Sequence, residues 1–342
     1  MNSGDMNAKP EESREIIAAL GAMGLIGEGE QFAIGTLSGG VSCDVYKVEV
    51  KRRPPMVVKR ALPKLRVAAD WRAPPECSAA EVAWIRLVAM LNPKWVPQIL
   101  GEDRAHHLFA MTYLPPEKYP LWKGELAAGR VDHRFAAATG AALAAIHAAT
   151  AGKPEIAAAF ANDEHFRALR LEPYLLFTAD RHADLSRVIR DVVDGIARAR
   201  IALMQGDISP KNILCGPEGP VFLDAETACY GDPAFDLAFC LNHFLLKSVW
   251  HPEWKDLYAQ SFSSMCEAYL AGVTWEPRDA IDRRTARLLP MLLLARVDGK
   301  SPVEYLTDEK DKAFVRARAR EMIAQPPASL ADLARRYFAD SR

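Results

Sequence analysis

Between residues 32 and 61 apolar and polar positions take turns. Tyr46, Val48 and Val50 alternate with Lys47, Glu49 and Lys51, which is the period of a half-buried strand. With "FAIGTL" before it and "MVVKRAL" after the basic, proline-containing "KRRPP" connection, this stretch predicts three antiparallel strands. The period lengthens on either side. Residues 11–24, "EESREIIAALGAMG", open on acids and close on glycine and predict a short amphipathic helix. A second helix is predicted over about 78–91, with Val82, Ile85 and Ala89 on one face. "WVPQILGED" and "HHLFAMTYLPP" read as two more strands, after which Pro115 and Pro116 interrupt regular structure. From Asp132 onward helical patterns dominate, from "FAAATGAALAAIHAAT" to "SLADLARRYFAD". The pattern predicts an α+β chain with a small antiparallel-sheet N-lobe over 1–114 and a larger, mainly helical C-lobe over 115–342.

Composition narrows the class by exclusion. A net charge of −1 and a pI near 6.7 give no global field to hold nucleic acid or an anionic membrane. The basic set Lys51, Arg52, Arg53, Lys59, Arg60, Lys64 and Arg66 has no interleaved aromatics to stack bases and reads as a solvated hairpin. Six dispersed cysteines without a CxxC pair suggest reduced thiols in a cytoplasm. The polar opening "MNSGDMNAKP" does not look like a leader, and the apolar run near "LLPMLLLARV" is too short to span a bilayer.

The chemistry gathers in residues 204–240. Six carboxylates, Asp207, Glu218, Asp224, Glu226, Asp232 and Asp236, share this stretch with one cation, Lys211. Carboxylates crowded into a partly buried site repel each other unless a positive charge sits among them. A loop holding Asp207 and Asn212, followed by Asp224 and Glu226 at a strand end, supplies the hard oxygen ligands that Mg²⁺ prefers when it also binds phosphate. A magnesium nucleotide is the expected positive partner. If the strand "VFLDAE" runs through both acids, Asp224 and Glu226 lie on one face.

These residues resemble the aminoglycoside phosphotransferase and choline kinase-like small-molecule kinases, relatives of the protein kinase fold. "QGDISPKN" matches the catalytic loop H-G-D-x-x-x-x-N except at its first position, "DAE" fits the metal strand, and "GDPAFDLA" resembles G-D-P-x-x-D-L-A. The three occur in family order at close spacing. Upstream, "LSGGVSCDVYKV" resembles the phosphate-covering glycine loop, "VVKR" the strand with the phosphate-pairing lysine, and "FAMTYLPP" the adenine hinge.

The resemblance implies a bilobal kinase-like fold, ATP and Mg²⁺ as cofactors, and transfer of the γ-phosphoryl to a hydroxyl of a small molecule. It implies Asp207 as the catalytic base, Asn212, Asp224 and Glu226 at the metal, and Lys59 on the phosphates with Glu81 as its partner. Gly39, Gly40 and Ser42 would cover the phosphates, and Val57, Met111, Tyr113 and Leu114 would surround the adenine. Asp236 would brace the catalytic loop, as would Gln205, which stands where the family has histidine but can still donate and accept hydrogen bonds. Asp232 is a candidate substrate residue.

Between Trp250 and Lys300 seven acids meet seven bases, without the acidic excess that would draw in a polycationic antibiotic. "FRALRLEPYLLFTADRH" and "LLLARVDGKSPVEYL" resemble the methylthioribose kinase branch, which implies Arg296 as a substrate contact able to fork onto hydroxyl or carboxylate oxygens. Two other readings stay open: a catalytically silent nucleotide-binding scaffold, suggested by Gln205, and a two-metal phosphohydrolase, which normally needs more histidines than the His243 available in residues 200–250.

Overall fold

The computed structural model describes residues 10–37, 43–61 and 77–339. The chain forms two compact units, Met1–Lys118 with Asp224–Glu226, and Tyr119–Leu223 with Thr227–Arg342. Among the described residues no helix is long and apolar enough to cross a membrane.

The first unit carries α1 (Pro10–Ala22), β1 (Phe32–Thr36), β2 (Cys43–Val50), β3 (Met56–Ala61), α2 (Cys77–Leu91), β4 (Ile99–Asp103) and β5 (Leu108–Thr112). Its five strands make an antiparallel sheet in the order β1-β2-β3-β5-β4, as the alternation predicts. One face of the sheet presents Tyr46, Val48, Val50, Met56, Val58, Leu108 and Ala110, which form a single core with Ile16, Ala19 and Leu20 of α1. Register then fixes the other face. Val45 pairs with Lys59, Lys47 with Val57, Val57 with Met111, and Lys59 with Phe109. Directly paired residues point the same way, so Val57, Lys59 and Met111 share the face turned away from α1.

The second unit is mainly helical. It holds α3 (Trp122–Ala127), α4 (His133–Thr150), α5 (Pro154–Ala159), α6 (Asp163–Phe166), a π-helix over Arg167–Leu176, α7 (Phe177–Arg181) and α8 (Ser186–Arg198). Four short strands in two two-stranded sheets follow: β6 (Ala202–Met204), the hairpin β7 (Ile213–Gly216) with β8 (Gly219–Phe222), and β9 (Cys229–Gly231), which pairs with β6. The chain ends in α9 (Ala234–Trp250), α10 (Lys255–Ala271), α11 (Arg278–Asp298), α12 (Glu309–Ala324) and α13 (Leu330–Ala339).

Nearly every residue of α9 is buried, which explains why its sequence has no polar stripe. Helix α4 comes very close to α10: a side chain at Gly140 would start 2.5 Å from the Met265 carbonyl oxygen. The π-helix contains Pro173, whose missing N–H a wider turn tolerates.

One expectation fails. β8 stops at Phe222 and Asp224 has φ of +64°, a left-handed conformation that ends the two-residue alternation. Asp224 and Glu226 therefore sit on a loop, not on one face of a strand.

Candidate active site

In the first unit the buried Lys59 ammonium donates to both oxygens of Glu81 on α2, each at 2.8 Å, and to Asp224 Oδ1 at 2.8 Å. The Glu81 carboxylate also accepts from the Asp224 backbone N–H. Burial works against the lysine's charge, but Asp224 and Glu81 outweigh it and hold Lys59 well above the ordinary lysine range. The ammonium also lies 5.9 Å from the centre of the Phe109 ring. Glu226 is buried, with the Cys43 thiol 4.0 Å from its Oε2. Burial, the largest influence on that thiol, pushes it up to about 12, so Cys43 is a small apolar neighbour and not a nucleophile.

Of the residues expected around adenine, Val57 and Met111 are buried on the Lys59 face. The Tyr113 amide donates to the Pro55 carbonyl at 3.4 Å and its ring lies 4.7 Å from the Lys47 ammonium. Leu114 is half-buried. Gly39, Gly40 and Ser42 lie outside the described residues.

In the second unit the loop after β6 is clamped from beneath. Asp236, in the first turn of α9 and fully buried, accepts from the Gln205 amide at 2.7 Å and from the Gly206 amide at 2.8 Å. His147 lies 3.4 Å from the same carboxylate and 2.8 Å from the Tyr269 hydroxyl. Gly206 has φ of +81°, and a Cβ there would sit 2.6 Å from Thr227 Oγ1, so only glycine fits. Gln205 uses both ends of its amide: Nε2 donates to the Leu223 carbonyl at 2.7 Å, and Oε1 accepts from the Asp207 backbone at 2.6 Å.

Asp207 is 2% exposed, and its two oxygens differ. Oδ2 accepts from Asn212 Nδ2 at 2.9 Å, Arg170 Nη2 at 2.9 Å and Lys211 Nζ at 3.0 Å. Oδ1 is buried and has no hydrogen-bond partner among the described residues. A carboxylate with one oxygen held by three donors and the other left open is fixed in rotation and keeps a lone pair ready to receive a proton. The Asn212 amide is oriented by giving its N–H₂ to the Asp207 carbonyl, at 3.1 Å, as well as to Oδ2, which turns its oxygen elsewhere. Lys211, whose role the sequence left open, is thus tied to Asp207.

Arg170 was not foreseen. It comes from the π-helix, donates from Nε to the Gly206 carbonyl at 2.7 Å, and reaches Asp207 with Nη2. No motif marks it. The only hint in the sequence is a proline inside an otherwise helical pattern, "RALRLEPYLL".

The other expected residues are placed as follows. Asp232 is buried, pairs in a fork with Arg284 at 2.9 and 3.0 Å, and accepts from the Ala234 amide at 3.0 Å. Both its oxygens are engaged within the fold. Arg296 donates from Nη1 to the Ser301 carbonyl and, at 3.4 Å, to the Tyr174 hydroxyl, and lies over the Tyr174 ring. Four of the six carboxylates are therefore met by cations and amides of the protein itself: Arg170 and Lys211 at Asp207, Lys59 at Asp224, Arg284 at Asp232, two amides at Asp236. The premise that a magnesium nucleotide must be present to make them tolerable is too strong.

As to a divalent cation, no three His, Cys, Asp or Glu side chains converge on one point among the described residues. The first unit offers the carboxylates of Asp224 and Glu226, and the second, separately, the amide oxygen of Asn212. All are hard oxygens, suited to an ion that keeps part of its water shell.

Comparison with solved structures defines the class first. A choline/ethanolamine kinase family protein from Mesorhizobium loti superposes with a TM-score of 0.52 at 18% identity, over 95% of this chain and 98% of that one. Amicoumacin kinase hAmiN, solved with AMP-PNP, Ca²⁺ and Ami, gives 0.55 at 13% identity over 94% and 95%. The fold is that of the protein kinase-like phosphotransferases. The family follows from sequence: the model of the phosphotransferase enzyme family matches residues 34–271, and the chain belongs to that family. Among curated proteins, methylthioribose kinase 1 of Oryza sativa subsp. japonica is 26% identical over 220 residues, 56% of this chain and 51% of its own length. The chain thus spans about half the length of the curated relatives it matches.

Proposed function

We propose that the protein is an ATP-dependent kinase that moves the γ-phosphoryl group to a hydroxyl of a small metabolite. The observation that carries this reading is the asymmetry of Asp207, one oxygen held by three donors and the other open.

Asp207 Oδ1 orients the acceptor hydroxyl and takes its proton as the oxygen attacks phosphorus. The new O–P bond forms while the bond from the γ-phosphorus to the bridging oxygen breaks, and ADP leaves. Arg170 and Lys211 hold the base in place and set a positive field at its back. Lys59, steadied by Glu81, binds the α and β phosphates, and Val57, Met111, Tyr113 and Leu114 bound the adenine. Gly39, Gly40 and Ser42 cover the phosphates. Asn212, Asp224 and Glu226 would hold Mg²⁺, which when bound would neutralise phosphate charge. Gln205 and Asp236 keep the catalytic loop rigid. The family assignment supports phosphoryl transfer, and the relatives of this fold that are kinases of small alcohols support the acceptor class.

Calorimetry with ATP, with and without magnesium, tests the nucleotide half. Uptake should require the metal and weaken at least about tenfold in Lys59→Met, since a bound phosphate loses its charge-assisted partner. An acceptor screen read by ADP release tests the chemistry. Asp207→Asn should lower acceptor-dependent turnover by about 10²-fold or more; unchanged turnover would remove Asp207 from the mechanism.

A further inference from the structure

Helix α9 carries Phe239, His243 and Lys247 at i, i+4 and i+8, one above another on one face. Lys247 is 1% exposed, and its ammonium is buried with no hydrogen-bond partner among the described residues. It lies 4.5 Å from the centre of the Tyr305 ring and 5.0 Å from that of Trp250. Ring faces attract a cation but supply no lone pair for its three N–H groups. Burial, reinforced by Lys123, pulls this lysine down to about 8. The nearby acid that opposes that shift, Glu304, is already paired with Lys123.

This lysine stands at one end of a chain of side-chain contacts whose other end is Asp207. Tyr305 lies 3.5 Å from His243, whose ring is 6.4 Å from Phe239. Phe239 meets Tyr174 at 5.4 Å and lies 6.0 Å from the guanidinium of Arg170, the arginine on Asp207. Arg296 lies over Tyr174, and its Nε is a second buried donor with no acceptor among the described residues. The charge along these contacts is one-sided: Lys123, Arg170, Lys211, Lys247 and Arg296 against Asp207 and Glu304. His243 registers it. Burial first, then Arg296, Lys247, Lys211 and Lys123, hold it well below the usual histidine range, so it is neutral.

A buried ammonium and a buried guanidinium N–H, each with unused donor capacity, are costly unless a ligand supplies acceptors. A choline-like or polyamine acceptor would meet a net excess of positive charge here, since five cations face two acids. Resting on the phosphotransferase reading, we propose that the acceptor is an anionic alcohol, whose carboxylate or phosphate pairs with Lys247 and Arg296 while its hydroxyl meets Asp207. Two helical steps of four residues separate Phe239 from Lys247, roughly 12 Å along the axis. The anionic group is therefore several bonds away from the hydroxyl that is phosphorylated.

Thermal shift without nucleotide tests the subsite directly, with acetate, inorganic phosphate, gluconate and glucose 6-phosphate as probes and glucose and choline as controls. At least one anion should raise the melting temperature of the wild type saturably while the controls do not, and Lys247→Met should lose that response. The responding probes assign carboxylate or phosphate. No response to any anion, or the same response in Lys247→Met, overturns the proposal. In turnover with magnesium-ATP, the anionic acceptor's KM should rise at least about tenfold in Lys247→Met with kcat changed far less, and Lys247→Arg should recover part of it. Acceptor-dependent ADP release with glucose or choline but no anion would leave the kinase reading standing and remove this one. Absence of magnesium-dependent ATP binding would instead remove the kinase reading, whatever the anions do.

Discussion

Replacing Asp236 by alanine removes the acceptor for two successive backbone amides. The Gln205 and Gly206 N–H groups now donate to its carboxylate at 2.7 and 2.8 Å in a fully buried setting. A hydrogen bond to a charged group contributes about 1.5–3 kcal/mol, and a buried donor left without one loses a similar amount. Two such bonds give a loss of about 3–6 kcal/mol. The His147 contact, at 3.4 Å, is long and adds little. Asparagine keeps the shape but offers one carbonyl oxygen where there were two carboxylate oxygens, and turns its N–H₂ toward the second amide. Asp236→Asn should therefore cost roughly half as much as Asp236→Ala.

The assay is urea denaturation followed by tryptophan fluorescence and far-ultraviolet circular dichroism, with midpoints compared at equal m-values. Activity gives a second readout, because Gln205 Oε1 holds the Asp207 amide and Arg170 holds the Gly206 carbonyl. Loosening the clamp displaces the base itself, so kcat should fall further than ATP affinity, which rests on Lys59. An Asp236→Ala protein within about 0.5 kcal/mol of the wild type, or an asparagine variant no better than the alanine one, would refute the clamp.

Two other outcomes follow from single side chains. Arg170→Lys keeps the charge but loses the fork that reaches both the Gly206 carbonyl and Asp207; kcat should drop about tenfold or more with acceptor KM little changed, and wild-type kinetics would show that the charge alone suffices. Lys247 has a folded-state pKa near 8, below its unfolded value of about 10.4, so between those values the unfolded chain binds a proton that the folded one has released. Stability should therefore rise with pH across this window in the wild type relative to Lys247→Met, by at most about 3 kcal/mol; parallel stability–pH curves for the two proteins would contradict the buried, unpaired ammonium.

The sheet was legible because its two faces differ in kind. Tyr46, Val48 and Val50 must bury against α1, whereas Lys47 and Lys59 sit on the opposite face, and such a difference imprints a period of two on the residues themselves. The grouping of Gln205, Asp207 and Asn212 was legible for a similar reason: these residues contact one another within eight residues, so their spacing is their geometry. Asp224 was misplaced because a left-handed residue is set by what holds it, here Lys59 and Glu81, and nothing in "DAE" announces that.

The charges were hardest to read, for a reason that the six carboxylates make plain. Asp224 and Asp232 looked unsatisfied because their partners are remote in sequence: Lys59 lies 165 residues from Asp224, and Arg284 lies 52 from Asp232. Reading the acids alone therefore exaggerated the need for an external cation, and the same blindness hid the opposite imbalance in the second unit. There Lys247 and Arg296 carry buried donors without acceptors, although residues 250–300 have equal numbers of acids and bases. A balanced count along the chain says nothing about balance at a site, because α9, α11 and the π-helix bring cations to one run of contacts while acids such as Asp279 and Glu253 remain at the surface with their own partners. What would select the acceptor in the proposed reading is thus the local excess of donors that folding leaves without partners, a quantity that only the three-dimensional arrangement contains.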